Sequence, residues 1–171
     1  MRVNSVLTRI VAIVGLMLPG LLLGAPQSAG QGAVKAQYGD WQMTCDFPPG
    51  ASAEQCAIVQ NVSDEAQPNI SLNVLVMRTA DRKLRLLRVI APLGVLLPNG
   101  LGLNVDGKEI GRVAFVRCLY GCVAEVFLDD DLINTLSTGK TALFVVFKTP
   151  EEGIGIPVSL EGFKDGFAAL P

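Results

Sequence analysis

Along most of the chain the apolar residues come in short runs rich in Val, Ile, Leu and Phe. Gly, Pro, Asn and Asp break them up, which is the rhythm of strands and turns. The runs predict strands at Trp41–Cys45, Cys56–Asn61, Ile70–Arg78, Lys83–Ile90, Leu101–Val105, Arg112–Cys118, Cys122–Leu128, Ala142–Lys148 and Ile156–Leu160. In the third run Ile70, Leu72, Val74 and Val76 alternate with Ser71, Asn73, Leu75 and Met77. One face is apolar and the other mixed, as in a sheet packed on one side.

The turns are specific. Asp106-Gly107 between Val105 and Lys108 predicts a type I′ hairpin, which needs positive φ at both central residues. Pro98-Asn99-Gly100, Thr79-Ala80-Asp81-Arg82 and Leu119-Tyr120-Gly121 separate other strand pairs. Helix is expected in one or two short pieces near the C-terminus. Asp129-Asp130-Asp131 leads into Leu132, Ile133 and Leu136, and Gly139 follows as a C-cap; Phe163, Phe167 and Leu170 recur at helical spacing. Many strands without a βαβ rhythm predict a mainly β fold, a sandwich of two antiparallel sheets, with a small closed barrel as the alternative.

The first 36 residues break this pattern. Arg2 and Arg9 flank a start without acids, and Ile10–Leu23 is one apolar run, shorter than the ~20 residues a membrane span needs. Small and polar residues follow, from Gly24 to Gly30. This is the layout of a secretory signal peptide, cut somewhere between residues 29 and 36. Residues 1–36 are therefore set aside as leader, and 37–171 are read as a single β-sandwich domain. No Cys closely follows the apolar run, which argues against lipid anchoring, and after cleavage no membrane-spanning segment is expected.

Charge narrows the function. A cut after Ala36 removes three of the 14 basic residues and none of the 16 acids, taking the net charge from −2 to −5. An acidic domain is a poor match for nucleic acid. The chain has no His, which removes the commonest general base and metal ligand and excludes a Ser-His-Asp triad at Ser71 or Ser159. Asp129-Asp130-Asp131 lacks an EF-hand pattern and reads as a helix start rather than a calcium site. No catalytic residue, metal or cofactor is expected, and the protein is read as a non-enzyme.

Four cysteines, Cys45, Cys56, Cys118 and Cys122, remain after the leader, and in an oxidising compartment an even number implies disulfides. Three pairings are open, with the sequence neighbours favoured. A redox role for Cys118 and Cys122 is the sharper alternative, but their spacing is not the two-residue one of thioredoxin-type motifs; a four-cysteine zinc site fits poorly. The densest charge cluster, Arg78, Arg82, Lys83, Arg85 and Arg88, straddles a predicted hairpin turn and is a candidate site for an anionic partner. The competing reading is edge-strand protection by basic side chains. Trp41 reads as a core anchor.

Several segments recur together. Tyr38-Gly39-Asp40-Trp41 opens the domain, followed by Cys45 and Cys56, Leu93-Gly94-Val95, Leu97-Pro98, Gly100 and Val105-Asp106-Gly107. Phe115, Cys118, Gly121-Cys122-Val123-Ala124, Leu132, Leu136, Gly139-Lys140, Pro157-Val158-Ser159-Leu160 and Gly162-Phe163 complete the set. In this ordered set the chain resembles the invasion-associated locus B family of Gram-negative envelope proteins. The resemblance implies a periplasmic or secreted sandwich of immunoglobulin-like architecture; for the localisation of this chain, association with the outer membrane stays open as an alternative. Together with the fold class and the absent catalytic groups, the resemblance favours a binding role toward an envelope or host protein, or an anionic surface component. It supplies no catalytic motif, and Arg78–Arg88 lies outside the matching set.

Overall fold

A computed structural model of the chain describes residues 33–63, 70–79 and 81–171. The leader segment lies outside them, except for its last four residues. Two antiparallel sheets form a sandwich. The larger begins as a meander of β1 (Ala33–Tyr38), β2 (Trp41–Asp46), β3 (Gln55–Ser63), β4 (Ser71–Arg78) and β5 (Arg85–Ala91). It ends with β9 (Cys122–Phe127) and then β8 (Phe115–Cys118) at its far edge. The smaller sheet runs β11 (Gly153–Ser159), β10 (Thr141–Phe147), β6 (Leu101–Val105) and β7 (Lys108–Val113). Two short helices, α1 (Asp130–Thr138) and α2 (Phe163–Ala169), pack against the core near the C-terminus.

Three local features differ from the sequence reading. β1 begins at Ala33, inside the segment set aside as leader, and pairs along β2 from Ala33↔Cys45 to Tyr38↔Trp41. The composition of Ala33–Gln37 resembles a leader's tail, so periodicity alone does not reveal an edge strand there. The single run Arg112–Cys118 is two strands. β7 pairs with β6, β8 pairs with β9, and the chain crosses between sheets at Ala114. An unbroken apolar run carries no mark of such a crossover. Gly139 ends α1 in an extended conformation (φ −73°) rather than the left-handed one expected of a C-cap glycine. Its value is space: a Cβ there would lie within 3.0 Å of side-chain carbons of Val105 and Leu160.

The other local signals act as read. Asp106 and Gly107 have φ of 49° and 83°, the mirror-turn geometry of a two-residue hairpin. The Asp106 carboxylate also accepts the backbone N–H groups of Lys140 and Thr141, which hold it below its ordinary range. Asp129 caps α1 by accepting from Leu132 N–H at 2.8 Å.

The core fills from both inner faces: Ile58, Leu72, Val74, Val76 and Val89 from one sheet, Phe144, Val146, Ile156 and Val158 from the other. Trp41 is buried with its ring edge-on to Phe163, centroids 5.4 Å apart. The first and last signature segments thus meet. Gly39 (φ 52°) and Gly162 (φ 84°) sit backbone against backbone, and a Cβ on either would fall inside 3 Å of the opposite segment's carbonyl, Glu161 O or Tyr38 O. Asp40 N–H closes the contact on Glu161 O at 3.1 Å.

Among the described residues one polar side chain lies in this core. Gln60, 6% exposed, donates from Nε2 to Ser159 O and accepts from Ser159 N–H, both at 3.0 Å. Trp41 Nε1 donates to the same carbonyl at 3.0 Å. β11 is an edge strand, so this Ser159 peptide group is satisfied by side chains of the opposite sheet. Replacing Gln60 by Leu leaves a backbone N–H without its partner in an apolar setting, at a cost of about 2–3 kcal/mol. Urea unfolding of Gln60→Leu is expected to show that loss, while Gln42→Leu, on the exposed face of β2, leaves the midpoint unchanged.

Candidate functional site

Both cysteine pairs are joined between sequence neighbours. Cys45 and Cys56 are directly opposed on β2 and β3, with Cα atoms 4.1 Å apart. Cys118 and Cys122 are opposed on β8 and β9, 4.0 Å apart. The Cys45 and Cys56 sulfurs lie near the Glu54 carboxylate. Joined sulfurs are not thiolate ligands, however, and Glu54 pairs with Lys35 at 3.1 Å. The second disulfide staples the Leu119-Tyr120-Gly121 loop. A Cβ on Gly121 would meet Ile90 and the Ala91 carbonyl inside 3 Å, so the loop folds tightly over the end of β5 and leaves Tyr120 fully exposed.

The five basic residues do not form one free patch. Arg85 pairs with Asp130 at the start of α1 at 2.7 Å. Arg88 pairs with its cross-strand partner Glu125, also at 2.7 Å. The Arg78 guanidinium lies 5.5 Å above the Phe167 ring, its Nε buried without a hydrogen bond. Arg82 and Lys83 project from the β4–β5 turn, where Arg82 takes φ 57°. Thr79 and Asp81 hold that turn: the Asp81 carboxylate accepts from the Thr79 hydroxyl and Lys83 N–H, which lowers its pKa. The acid run is likewise committed, with Asp129 capping α1 and Asp130 holding Arg85.

A sizeable concavity lies between the sheets at the opposite edge from Gln60. It has a volume of about 470 Å³. Its floor is apolar, from Leu87, Val89 and Ala124 of the larger sheet and Leu101, Leu103 and Phe144 of the smaller, with Leu132 of α1 closing one end. Its lips are Ile110–Val113 on β7 and Glu125–Phe127 on β9. Two irregularities shape it. The β6–β7 ladder slips between Leu103 and Asn104, where Gly111 takes φ 151°. β8 pairs with β9 only from Cys122 to Ala124, so among the described residues no strand pairs with the β8 side of Glu125–Phe127. Phe127 is 64% exposed there.

Neither sequence reading nor the signature segments pointed to this cleft. Its floor is made of ordinary core residues, and its opening comes from two strands diverging at the Ala114 crossover. The lone hint is Gly111, whose missing side chain leaves open space.

These features define a disulfide-stapled, antiparallel β-sandwich protein whose signature residues serve the frame and which has a sizeable apolar opening at a sheet edge. The chain belongs to the invasion associated locus B (IalB) protein family, whose model matches residues 41–171. The match starts at β2, so β1 precedes it. The fold is similar to the crystal structure of invasion associated protein B from Bartonella henselae. The TM-score is 0.67 at 20% sequence identity, covering 80% of this chain and 93% of that one. At that identity the likeness speaks for the fold alone. No match was found among curated proteins.

The two disulfides differ in the loops they close, 11 and 4 residues of sequence separation. Loop-closure entropy assigns about 3 kcal/mol to the first and about 2 kcal/mol to the second. Thermal or urea unfolding of Cys45→Ala/Cys56→Ala and Cys118→Ala/Cys122→Ala is expected to rank them in that order.

Proposed function

We propose that the protein is an exported cell-envelope component, periplasmic or secreted, that acts by binding a partner rather than by catalysis. The observation that carries the binding role is the apolar cleft. Protein interiors are close-packed, with few voids larger than a water molecule. An opening of about 470 Å³ lined by core side chains is of the size that binding sites occupy. Export is supported by the leader-like first 36 residues, the two closed disulfides and the family. A chain without His, whose cysteines are all joined, offers little to general acid–base or thiol chemistry. Among the described residues no helix is long and apolar enough to cross a membrane.

The partner is an envelope or host protein, or an anionic surface component. For an anionic partner Arg82 and Lys83 are the available charges, since Arg85 and Arg88 are already paired. The invasion named for the Bartonella protein is not carried over to this chain. A thiol–disulfide role at Cys118–Cys122 is disfavoured by the burial of Cys122, 2% exposed, and by its place in a strand pair.

The test is the intact mass of the protein from a bacterial envelope fraction, alkylated before and after denaturing reduction. The reading predicts a chain lacking its leader and four alkylations only after reduction. A full-length mass argues against export. Alkylation of Cys118 and Cys122 in the native protein under mild reductant favours the redox role.

A further inference from the structure

We infer that the cleft between β7 and β9 receives an extended peptide strand that pairs with the open edge of β9, in line with β8. The inference rests on the binding role proposed above and names the class of partner.

An apolar cavity alone would suit any apolar guest. What selects a strand is the backbone at its lip. β8 runs beside β9 only at Cys122–Ala124, because the preceding residues cross at Ala114 to the other sheet. The next stretch, Glu125–Phe127, stays paired with β5 on one side, from Leu86↔Phe127 to Arg88↔Glu125. Its other side has no strand among the described residues. Peptide groups on an open edge are templates for another chain. A fatty chain would leave them unpaired, whereas an antiparallel strand satisfies them and continues the ladder.

Side chains on an added strand alternate between its two faces. Those turned inward would enter the cleft against Leu103, Ile110 and Val126, so alternate positions must be apolar. The outward positions lie beside Glu125, already neutralised by Arg88, and face away from β7, so charge sets no requirement there. The partner is therefore a strand that is apolar at alternate positions. β7 itself is the poorer pairing edge, because its bulge and its Lys108 are features that blunt edge pairing.

The test uses the oxidised full domain and a library of capped seven-residue peptides, apolar at alternate positions and free at the others. Bound peptide is expected to slow exchange of the Glu125–Phe127 amides that face away from β5. Ile110→Trp, which fills the mouth, and Phe127→Lys, at an exposed position that folding tolerates, are each expected to weaken binding by about tenfold or more. Failure to retain any peptide overturns the proposal, as does undiminished binding by both folded variants. Palmitate is the second probe. If it shifts the Ile110 and Val126 methyl signals while no peptide slows the edge amides, the cleft is a lipid site and strand addition is wrong. None of these results bears on export, which the alkylation masses decide separately.

Discussion

The side-chain amide of Gln60 stands where a neighbouring strand would stand at the edge of the four-stranded sheet. It donates to and accepts from the same residue, Ser159, as a backbone partner would, and Trp41 adds a second donor to that carbonyl. Burial makes this arrangement matter. An amide taken into an apolar core without partners is costly, so the three groups fix one another and set how the two sheets lie together. Around that point gather the Gly39–Gly162 backbone contact and the Trp41–Phe163 ring pair. The cross-strand Cys45–Cys56 bond staples the two strands that carry Trp41 and Gln60.

The two sides of the sandwich are consequently unlike. At β3 and β11 the sheets are tied by side-chain hydrogen bonds, by a helix and by close backbone approach. At β7 and β9 they part from the Ala114 crossover, and the core opens between them. A frame held firmly along one side can keep an apolar opening along the other without collapsing. The signature residues of the family belong mostly to the tied side, to turns and to the disulfides. They explain why the fold forms and say little about what the open side meets.

Much of the frame was legible in the sequence because its signals are local. Strict alternation in Ile70–Met77 gave the face of β4, Asp106-Gly107 gave the hairpin, and Asp129 with its acid neighbours gave the start of α1. Neighbouring cysteines gave the disulfides because each pair closes a short hairpin. What escaped depends on distant partners. Gln60 reads as an unremarkable polar residue in a strand until Ser159, 99 positions away, is placed against it. Ser159 had been weighed as a nucleophile, yet its peptide group is what the fold uses. The basic cluster looked like a patch because its members are close in sequence. Asp130 and Glu125, which neutralise two of them, come from α1 and β9. The cleft was invisible because it is the space between correctly read strands.

The central claim is this asymmetry of a closed side and an open one, and amide hydrogen exchange measures it residue by residue. Ser159 N–H, on an edge strand but held by Gln60, is expected to exchange only as the whole domain unfolds, together with Ile58 and Val74. The amides of Glu125–Phe127 that face away from β5 are expected to exchange orders of magnitude faster, in the manner of exposed groups. Rapid exchange at Ser159, or protection of those β9 amides equal to the core in the free protein, would contradict the account.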